Sequence, residues 1–370
     1  MSIVSAAAWD AGALEDCLRS KFALIALVVF GVAMLAQSSS IAAELPGLAA
    51  GATAPAISLQ DQQGKTQNLQ SLAGRNGLLL LFFRSADWCP FCKGQLVDLE
   101  GAQKAFAAKG IAVAGVSYDS PAILADFAKR RSITFPLLSD TSSKLIDAFG
   151  IRNPEGEGMQ AGIPYPGFYL IGRDGKIEKR FFETAYVNRL TANNLYESLY
   201  GERAATSPEK KLDATPHVTV TLAQSDEKVT PGAVVRLDAM LLPGPDTHVY
   251  GPGAEAMQYR VVMLKISPSE LYTATETSFP KPEKMNFPEL HQVVPVYTGK
   301  TVLSTSVSAV VNGKTMPVFA REPKIAVHGE LEYQACTSSV CFPPVKVPVA
   351  WSIALLPLDR ERVPEAIQHK

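Results

Sequence analysis

An excess of charge of either sign is missing from this 370-residue chain: 35 Lys and Arg stand against 36 Asp and Glu, a formal net charge of -1. No basic surface for nucleic acid is therefore expected. Cysteine is scarce, at five residues. If a leader carrying Cys17 is removed, four remain in two close pairs, Cys89/Cys92 and Cys336/Cys341, too few to staple a chain of this size. Exchange is then a better use for them than scaffolding. Histidine is absent from the first half: His217, His248, His291, His328 and His369 share no ligand spacing, and each is expected as a surface or core residue. A long membrane-crossing run is also lacking. The apolar stretch Phe22 to Ala36 has fifteen residues, short for a span and suited to the core of a signal peptide.

Arg19 and Lys21 precede that stretch, and small residues follow it up to Ala43. Residues 1–43 are expected to be a signal peptide cleaved near Ala43, with an uncleaved anchor through residues 22–36 as the alternative. The acidic lead of Asp10, Glu15 and Asp16 is unusual for a leader and points to a start nearer Arg19. No cysteine follows the run, so no lipid attachment site is expected. Export means a periplasmic or secreted protein in which disulfides persist.

What the chain does have is Leu78 to Leu99, LLLLFFRSADWCPFCKGQLVDL. An apolar run short enough for a buried strand passes through a polar turn into a helical pattern with Leu96 and Leu99 on one face. Cys89 and Cys92 fall where that helix begins. Unpartnered backbone N–H groups and the positive dipole end stabilise a thiolate there, which makes Cys89 an attacking nucleophile near neutral pH. Cys92, one turn on, can close on Cys89 and release whatever it has attacked. Pro90 suits the first helical position. This reading requires Cys89 to be reachable and close to Cys92. Two other readings stand beside it: half of a zinc site completed by Cys336 and Cys341, and a purely structural disulfide.

At this length two domains are expected after processing. Over residues 44–203, residues 51–72 read as a hairpin, Ile111 to Ser117 as a second apolar strand, and Ser120-Pro121 as the start of a helix through Arg131. A strand at Thr134 to Leu138, a helix at Thr141 to Phe149, and strands at Phe168 to Ile171 and Ile177 to Phe182 follow. Strands alternating with helices mean an α/β sheet covered on both faces. Ala204 to Pro216 reads as a flexible linker. Residues 217–357 change texture to short alternating runs between Pro- and Gly-rich turns, the pattern of an all-β sandwich, with Asn312-Gly313 as a hairpin turn. Residues 358–370 are left as a C-terminal tail.

The first domain resembles the redoxin branch of the thioredoxin superfamily, which holds AhpC/TSA (peroxiredoxin-like) and TlpA-like proteins. The pieces that carry this are Gly51-x-x-Ala54-Pro55, Trp88-Cys89-Pro90-Phe91-Cys92, Phe135 to Asp140, Ala148-Phe149-Gly150 and Gly162 to Ile171. The resemblance implies a thioredoxin-like fold. Peroxiredoxins carry PxxxTxxC, but counted back from Cys89 this chain has Phe82 and Ala86, and it places Pro166 where they hold an arginine. In thioredoxin-like oxidoreductases that place is a cis-proline beside the CxxC. The resemblance therefore implies a cis Tyr165–Pro166 bond next to Cys89, with Trp88, Pro90, Tyr165 and Pro166 receiving an incoming substrate. The buried acid of thioredoxin would fall at Phe83, leaving Asp87, Lys93 or a water to accept the second thiol's proton. Arg84 is a candidate thiolate stabiliser, with an exposed structural role as the alternative.

Tyr333-Gln334-Ala335-Cys336 and Cys341-Phe342-Pro343-Pro344 resemble the N-terminal periplasmic domain of DsbD, an immunoglobulin-like module whose loop carries a redox-active pair. Asp246 to Tyr250 and Val296 to Lys300 match it more loosely. The resemblance implies that Cys341 forms the mixed disulfide, Cys336 resolves it, and Phe287 to His291 supplies a cap loop. An inert hairpin disulfide is the alternative.

The chain is thus expected to be an exported thiol-disulfide oxidoreductase, with Cys89 attacking, Cys92 resolving, and Cys336/Cys341 as a second relay. Its expected partners are a disulfide-bearing protein substrate and a membrane thiol reductase as electron donor. Thiolate attack needs no metal or organic cofactor. The alternatives are a peroxidase in which Cys89 becomes a sulfenic acid, and a non-catalytic binding module for thiol apoproteins.

Overall fold

The computed structural model describes residues 45–182, 185, 187–202, 209–213 and 215–369. The expected signal peptide or anchor, with Cys17 and the tether at residues 22–36, lies outside the described residues. Among the described residues no helix is long and apolar enough to cross a membrane.

The first part of the chain forms β1 (Leu59–Asp61), β2 (Thr66–Gln67), α1 (Leu69–Leu72), β3 (Gly77–Phe82), α2 (Pro90–Ala108), β4 (Ile111–Ser117), α3 (Pro121–Arg131), β5 (Leu137–Ser139), α4 (Lys144–Ala148), β6 (Gly167–Ile171), β7 (Ile177–Phe182), β8 (Arg189–Leu190) and α5 (Ala192–Tyr200). Seven strands make one sheet in the order β2-β1-β5-β4-β3-β6-β7, with β3, β4 and β5 parallel. Every residue of β3 is buried because successive side chains point to opposite faces, and both faces are covered. Leu79, Leu81 and Phe83 meet α2, α3 and α5, whereas Leu78, Leu80 and Phe82 meet α4 and Tyr169. Helix α2 turns Leu96, Leu99, Ala102 and Phe106 inward, a spacing of three to four residues that keeps one face on the sheet. This is a thioredoxin-like fold.

The β-rich remainder holds β9 (Lys210–Lys211), β10 (Val218–Gln224), β11 (Lys228–Val229), β12 (Ala233–Pro243), β13 (His248–Tyr250), β14 (Met263–Ile266), β15 (Tyr272–Ala274), β16 (Glu283–Phe287), β17 (Gln292–Tyr297), β18 (Thr301–Ala309), α6 (Met316–Arg321), β19 (Lys324–Tyr333), β20 (Ala335–Cys336) and β21 (Val345–Leu355). One sheet, β15-β18-β12-β10-β9, shares an apolar core with a second, β11-β21-β19-β14. Alternate residues of β21 point into that core, and Trp351 Nε1 donates across it to the Ala223 carbonyl at 2.9 Å. A third sheet, β16-β17-β13-β20, carries the second cysteine pair.

Three expectations are corrected. Asn312-Gly313 is not a hairpin turn: Asn312 Oδ1 accepts from the Lys314 and Thr315 N–H groups, which sends the chain into α6 before β19. Residues 210–211, placed in a flexible linker, pair with β10. In addition, β8 lies parallel to β12, with Arg189 opposite Ala233 and Leu190 opposite Val234. The C-terminal residues are no free tail: Val363 is 1% exposed within the cluster that holds Cys89 and Cys92.

Candidate functional site

The strand β3 ends one turn before the cysteines, and the intervening loop is fixed by a buried acid on the neighbouring strand's end. Asp119 accepts from Ser85 Oγ and the Ala86 N–H, both at 2.7 Å, and from Ser117 Oγ at 2.8 Å. Trp88 Nε1 donates to the Tyr118 hydroxyl at 2.8 Å, which donates to the Met159 carbonyl. Burial, ahead of any neighbouring charge, pushes the Tyr118 phenol up, so it stays a neutral donor.

Cys89 is the N-cap of α2, with Pro90 opening the helix, and the Cys92 N–H points at the Cys89 sulfur at 3.3 Å. The two sulfurs are joined as a disulfide. No acidic residue occupies the first turn, so nothing there offsets the dipole's stabilisation of a Cys89 thiolate. The pair is not open to solvent. Cys89 is 1% exposed and Cys92 fully buried, which corrects the expectation of a reachable Cys89. A lip from the β-rich part covers the helix start: Thr230 lies against Gly94, Gly232 lies against the Phe91 ring, and the Arg189 N–H donates to the Gly232 carbonyl at 2.8 Å.

Sequence reasoning missed Arg189. Its Nη2 stands 3.6 Å from Cys92 Sγ and 4.0 Å from Cys89 Sγ, and Nη1 donates to the Asn188 carbonyl. A guanidinium at this range favours the charged form of either sulfur. No local pattern marks it, because β8 is two residues long and takes its position from β12. Arg84, for which an exposed role was the alternative, is 1% exposed.

The candidate proton acceptors are both held by the end of the chain. Arg362 grips the Asp87 carboxylate with Nε and Nη2 at 2.6 and 2.5 Å, and the Val363 and His369 N–H groups add bonds at 3.2 Å. Burial works to raise the Asp87 carboxyl, but these donors outweigh it and hold it below the usual carboxylate range. Lys93 Nζ donates to the Glu361 carbonyl and pairs with Asp359 at 3.3 Å. Burial nevertheless lowers its pKa, with Asp359 opposing.

The Tyr165–Pro166 bond is trans, a correction of the cis expectation: among the described residues there is no cis peptide. The chain has no turn to make at this point. Arg152 bridges Pro164, the Tyr165 N–H donates to the Ile151 carbonyl at 2.7 Å, and Gly167 already pairs with Phe82 and Phe182. An extended residue before proline suits a trans bond. Tyr165 and Trp88 both pack at the margin of the cluster on the α4 face of the sheet, and Pro166 is buried.

The second pair is differently set. Cys336, in β20, is fully buried among Tyr250, Val294, Val296 and Phe287, whereas its disulfide partner Cys341 is exposed. The Tyr250 hydroxyl lies 3.7 Å from Cys341 Sγ, and burial pushes that phenol up to about 12. His248 rests edge-on to Tyr250, and burial lowers its pKa, favouring the neutral ring. Phe287 meets both Cys336 and His248, while Leu290 beyond it is exposed. The two cysteine pairs sit in separate clusters, and the zinc alternative would need them to converge. Among the described residues no group of three or more His, Cys, Asp or Glu side chains could hold a metal ion.

A cleft of about 860 Å³ runs beside the first pair, between α2, β8, residues 226–230 and residues 356–359. Asp98 lines it, accepting from the Ala192 N–H at 2.6 Å. Burial, and then the charge of Asp226, push the Asp98 carboxyl up to about 7.

Residues 50–180 match the AhpC/TSA family. Peroxiredoxin Bcp of Escherichia coli K12 is 34% identical over 156 residues, covering 40% of this chain and 97% of that protein. The chain belongs to the AhpC/TSA family. It is also 25% identical over 163 residues to thiol-disulfide oxidoreductase ResA of Geobacillus thermodenitrificans, covering 44% of this chain and 84% of that one. The crystal structure of peroxidoxin BcpB from Mycobacterium tuberculosis superposes with a TM-score of 0.33 at 25% identity, covering 36% of this chain and 84% of the other. This AhpC/TSA-family protein is accordingly a redox enzyme of the thiol oxidoreductase and peroxidase kind. Where peroxiredoxins place proline and threonine it has Phe82, against the rings of Phe149 and Tyr169, and Ala86, whose N–H is bound by Asp119.

Proposed function

We propose that the protein is an exported thiol-disulfide oxidoreductase working through Cys89 and Cys92. The observation that carries this reading is the position of Cys89 at the mouth of α2, with the Cys92 N–H aimed at its sulfur, Cys92 within bonding reach and Arg189 beside both. In the reduced enzyme the Cys89 thiolate attacks one sulfur of a substrate disulfide, forming a mixed disulfide and releasing one substrate thiolate. The Cys92 thiolate then attacks the Cys89 sulfur and releases the other. Two electrons pass to the substrate and the enzyme is left as the Cys89–Cys92 disulfide. Because the lip of residues 230–232 covers the pair, a protein substrate requires it to swing away.

Exposed Cys341 exchanges with Cys89 or with a partner, Cys336 resolves it, and the β-rich part acts as an immunoglobulin-like module of the DsbD N-terminal kind. A membrane thiol reductase supplies electrons in the periplasm or outside the cell, and residues 22–36 tether the enzyme if they are not removed. The test is trapping: a Cys92→Ser variant incubated with disulfide-bearing proteins from the exported fraction should retain a mixed disulfide at Cys89 that dithiothreitol releases. Failure to trap, with insulin disulfides left unreduced by the native enzyme, overturns the reading.

The enclosure of Cys89 favours a second reading, in which a small hydroperoxide is the oxidant. Cys89 attacks the terminal peroxide oxygen, an alcohol or water leaves, and Cys92 condenses with the resulting sulfenic acid to give the disulfide and water. Rapid hydroperoxide consumption by the reduced protein, without insulin reduction, would select it.

A further inference from the structure

The last residues of the chain lie across the loop that carries Cys89. Four hydrogen bonds to the Asp87 carboxylate come from Arg362, Val363 and His369, and Asp87 is only two residues before the cysteine. The grip is anchored on both flanks. On one, Asp359 and Glu361 receive Arg131 at 2.8 and 3.1 Å, and Lys93 binds the Glu361 carbonyl. On the other, the His369 ring stacks on Tyr118 at 4.2 Å, nearly parallel, with Nε2 2.7 Å from Asp119, the acid that fixes the loop before the cysteines. Between the flanks Val363 packs in the cluster that contains both sulfurs.

We propose that residues 359–369 form a strap that belongs to the redox centre, with Arg362 as a positioning residue that sets the nucleophilicity of Cys89 by neutralising Asp87. The charge argument is direct. A carboxylate buried two residues before a thiolate opposes its formation. With Arg362 in a two-pronged pair, Asp87 contributes almost no net charge to the site, and the helix mouth and Arg189 act on Cys89 unopposed. Other charged and titratable groups near Asp87 are Lys93 on α2, with Arg130 of α3 and Asp359 beside it, and Tyr118 and Asp119 after β4. Lys93 and Asp119 are engaged by the strap as well. The strap also supplies the Val363 and His369 N–H groups, so its departure removes every hydrogen-bond donor named above for Asp87.

The proposal rests on Cys89 as the attacking thiol, and one experiment separates the two. The pH midpoint for iodoacetamide labelling of reduced Cys89 is measured in the full chain carrying Cys92→Ser, alone and with further substitutions. A midpoint near that of a free thiol in this parent protein sinks the nucleophile reading itself. If the parent midpoint is depressed, Arg362→Gln should raise it by about one unit, because Asp87 is left uncompensated. Asp87→Asn should lower it, because Arg362 is left uncompensated, and the double variant should return close to the parent. These opposite signs distinguish charge from damage, since a loosened loop would shift both single variants in one direction. Truncation after Leu358 should act like Arg362→Gln. Shifts of the same sign, or midpoints that stay within about 0.2 unit in both single variants, overturn the strap's role.

Discussion

Arg189 Nη2 stands 3.6 Å from Cys92 Sγ although the two residues are 97 apart in the chain. Replacing this cation with glutamine should slow Cys89 labelling at pH 7 about tenfold by raising the thiol's pKa. Lysine should recover only part of the rate, since the planar guanidinium holds the Asn188 carbonyl with Nη1 while Nη2 reaches the sulfurs, and a point charge on a flexible stem is not fixed in that way. Rapid-mixing labelling of the reduced variants measures both.

The lip over the helix start should discriminate by size. A Cβ at Gly94 would stand 2.7 Å from Thr230 Oγ1, so Gly94→Val forces the two parts away from each other. We expect a loss of about 1–3 kcal/mol in stability from the overpacking. Labelling of Cys89 by a bulky maleimide should rise towards the iodoacetamide rate, whereas the native protein should favour the small reagent strongly. Equal rates for both reagents in the native protein would contradict a closed lip.

Asp98 and Asp226 should make the protein less stable as pH rises from about 4 to 7. With the folded pKa of Asp98 near 7 and an unfolded value near 3.8, the folded state holds a proton between about pH 4 and 7 that the unfolded chain has released. Stability is then fullest below that window and falls as pH rises through it. Burial raises Asp226 in the same direction. Asp98→Asn should flatten the profile and raise stability at pH 8 by on the order of 2 kcal/mol, measured by urea unfolding at pH 5 and pH 8.

In the β-rich part the two cysteines should differ in reach. After reduction, exposed Cys341 should label at least about tenfold faster than Cys336, which Phe287, Val294 and Val296 enclose. Peptide mass spectrometry of partly alkylated protein gives the ratio. A Cys336→Ser variant should form mixed disulfides with small thiol reagents, and Cys341→Ser should not.

Local signals led to the right local structure. Ser120-Pro121 marks the start of α3 because the serine hydroxyl accepts from the Ile123 N–H, and the helix runs to Arg131. Cys89-Pro90 marks the start of α2, and the apolar runs at residues 111–117 and 177–182 are strands over those same residues. Two of the misses share a physical cause: each depends on a partner remote in sequence. Arg362 is 275 residues from Asp87, and β8 has too few residues to show any period. Asn312-Gly313 misled for a different reason, since an asparagine that caps the following N–H groups serves a helix entry as well as a hairpin.

The two-residue ladder between β8 and β12 has a mechanical consequence. Leu190 and Val234 are opposite each other in it, so the segment that presents Arg189 to the sulfurs is stitched to the same strand whose leading loop forms the lip. Peeling the lip back would drag the guanidinium with it. Opening for a large substrate would then withdraw the cation as it admits the disulfide, leaving the mouth of the helix to keep the sulfur reactive until the door swings back.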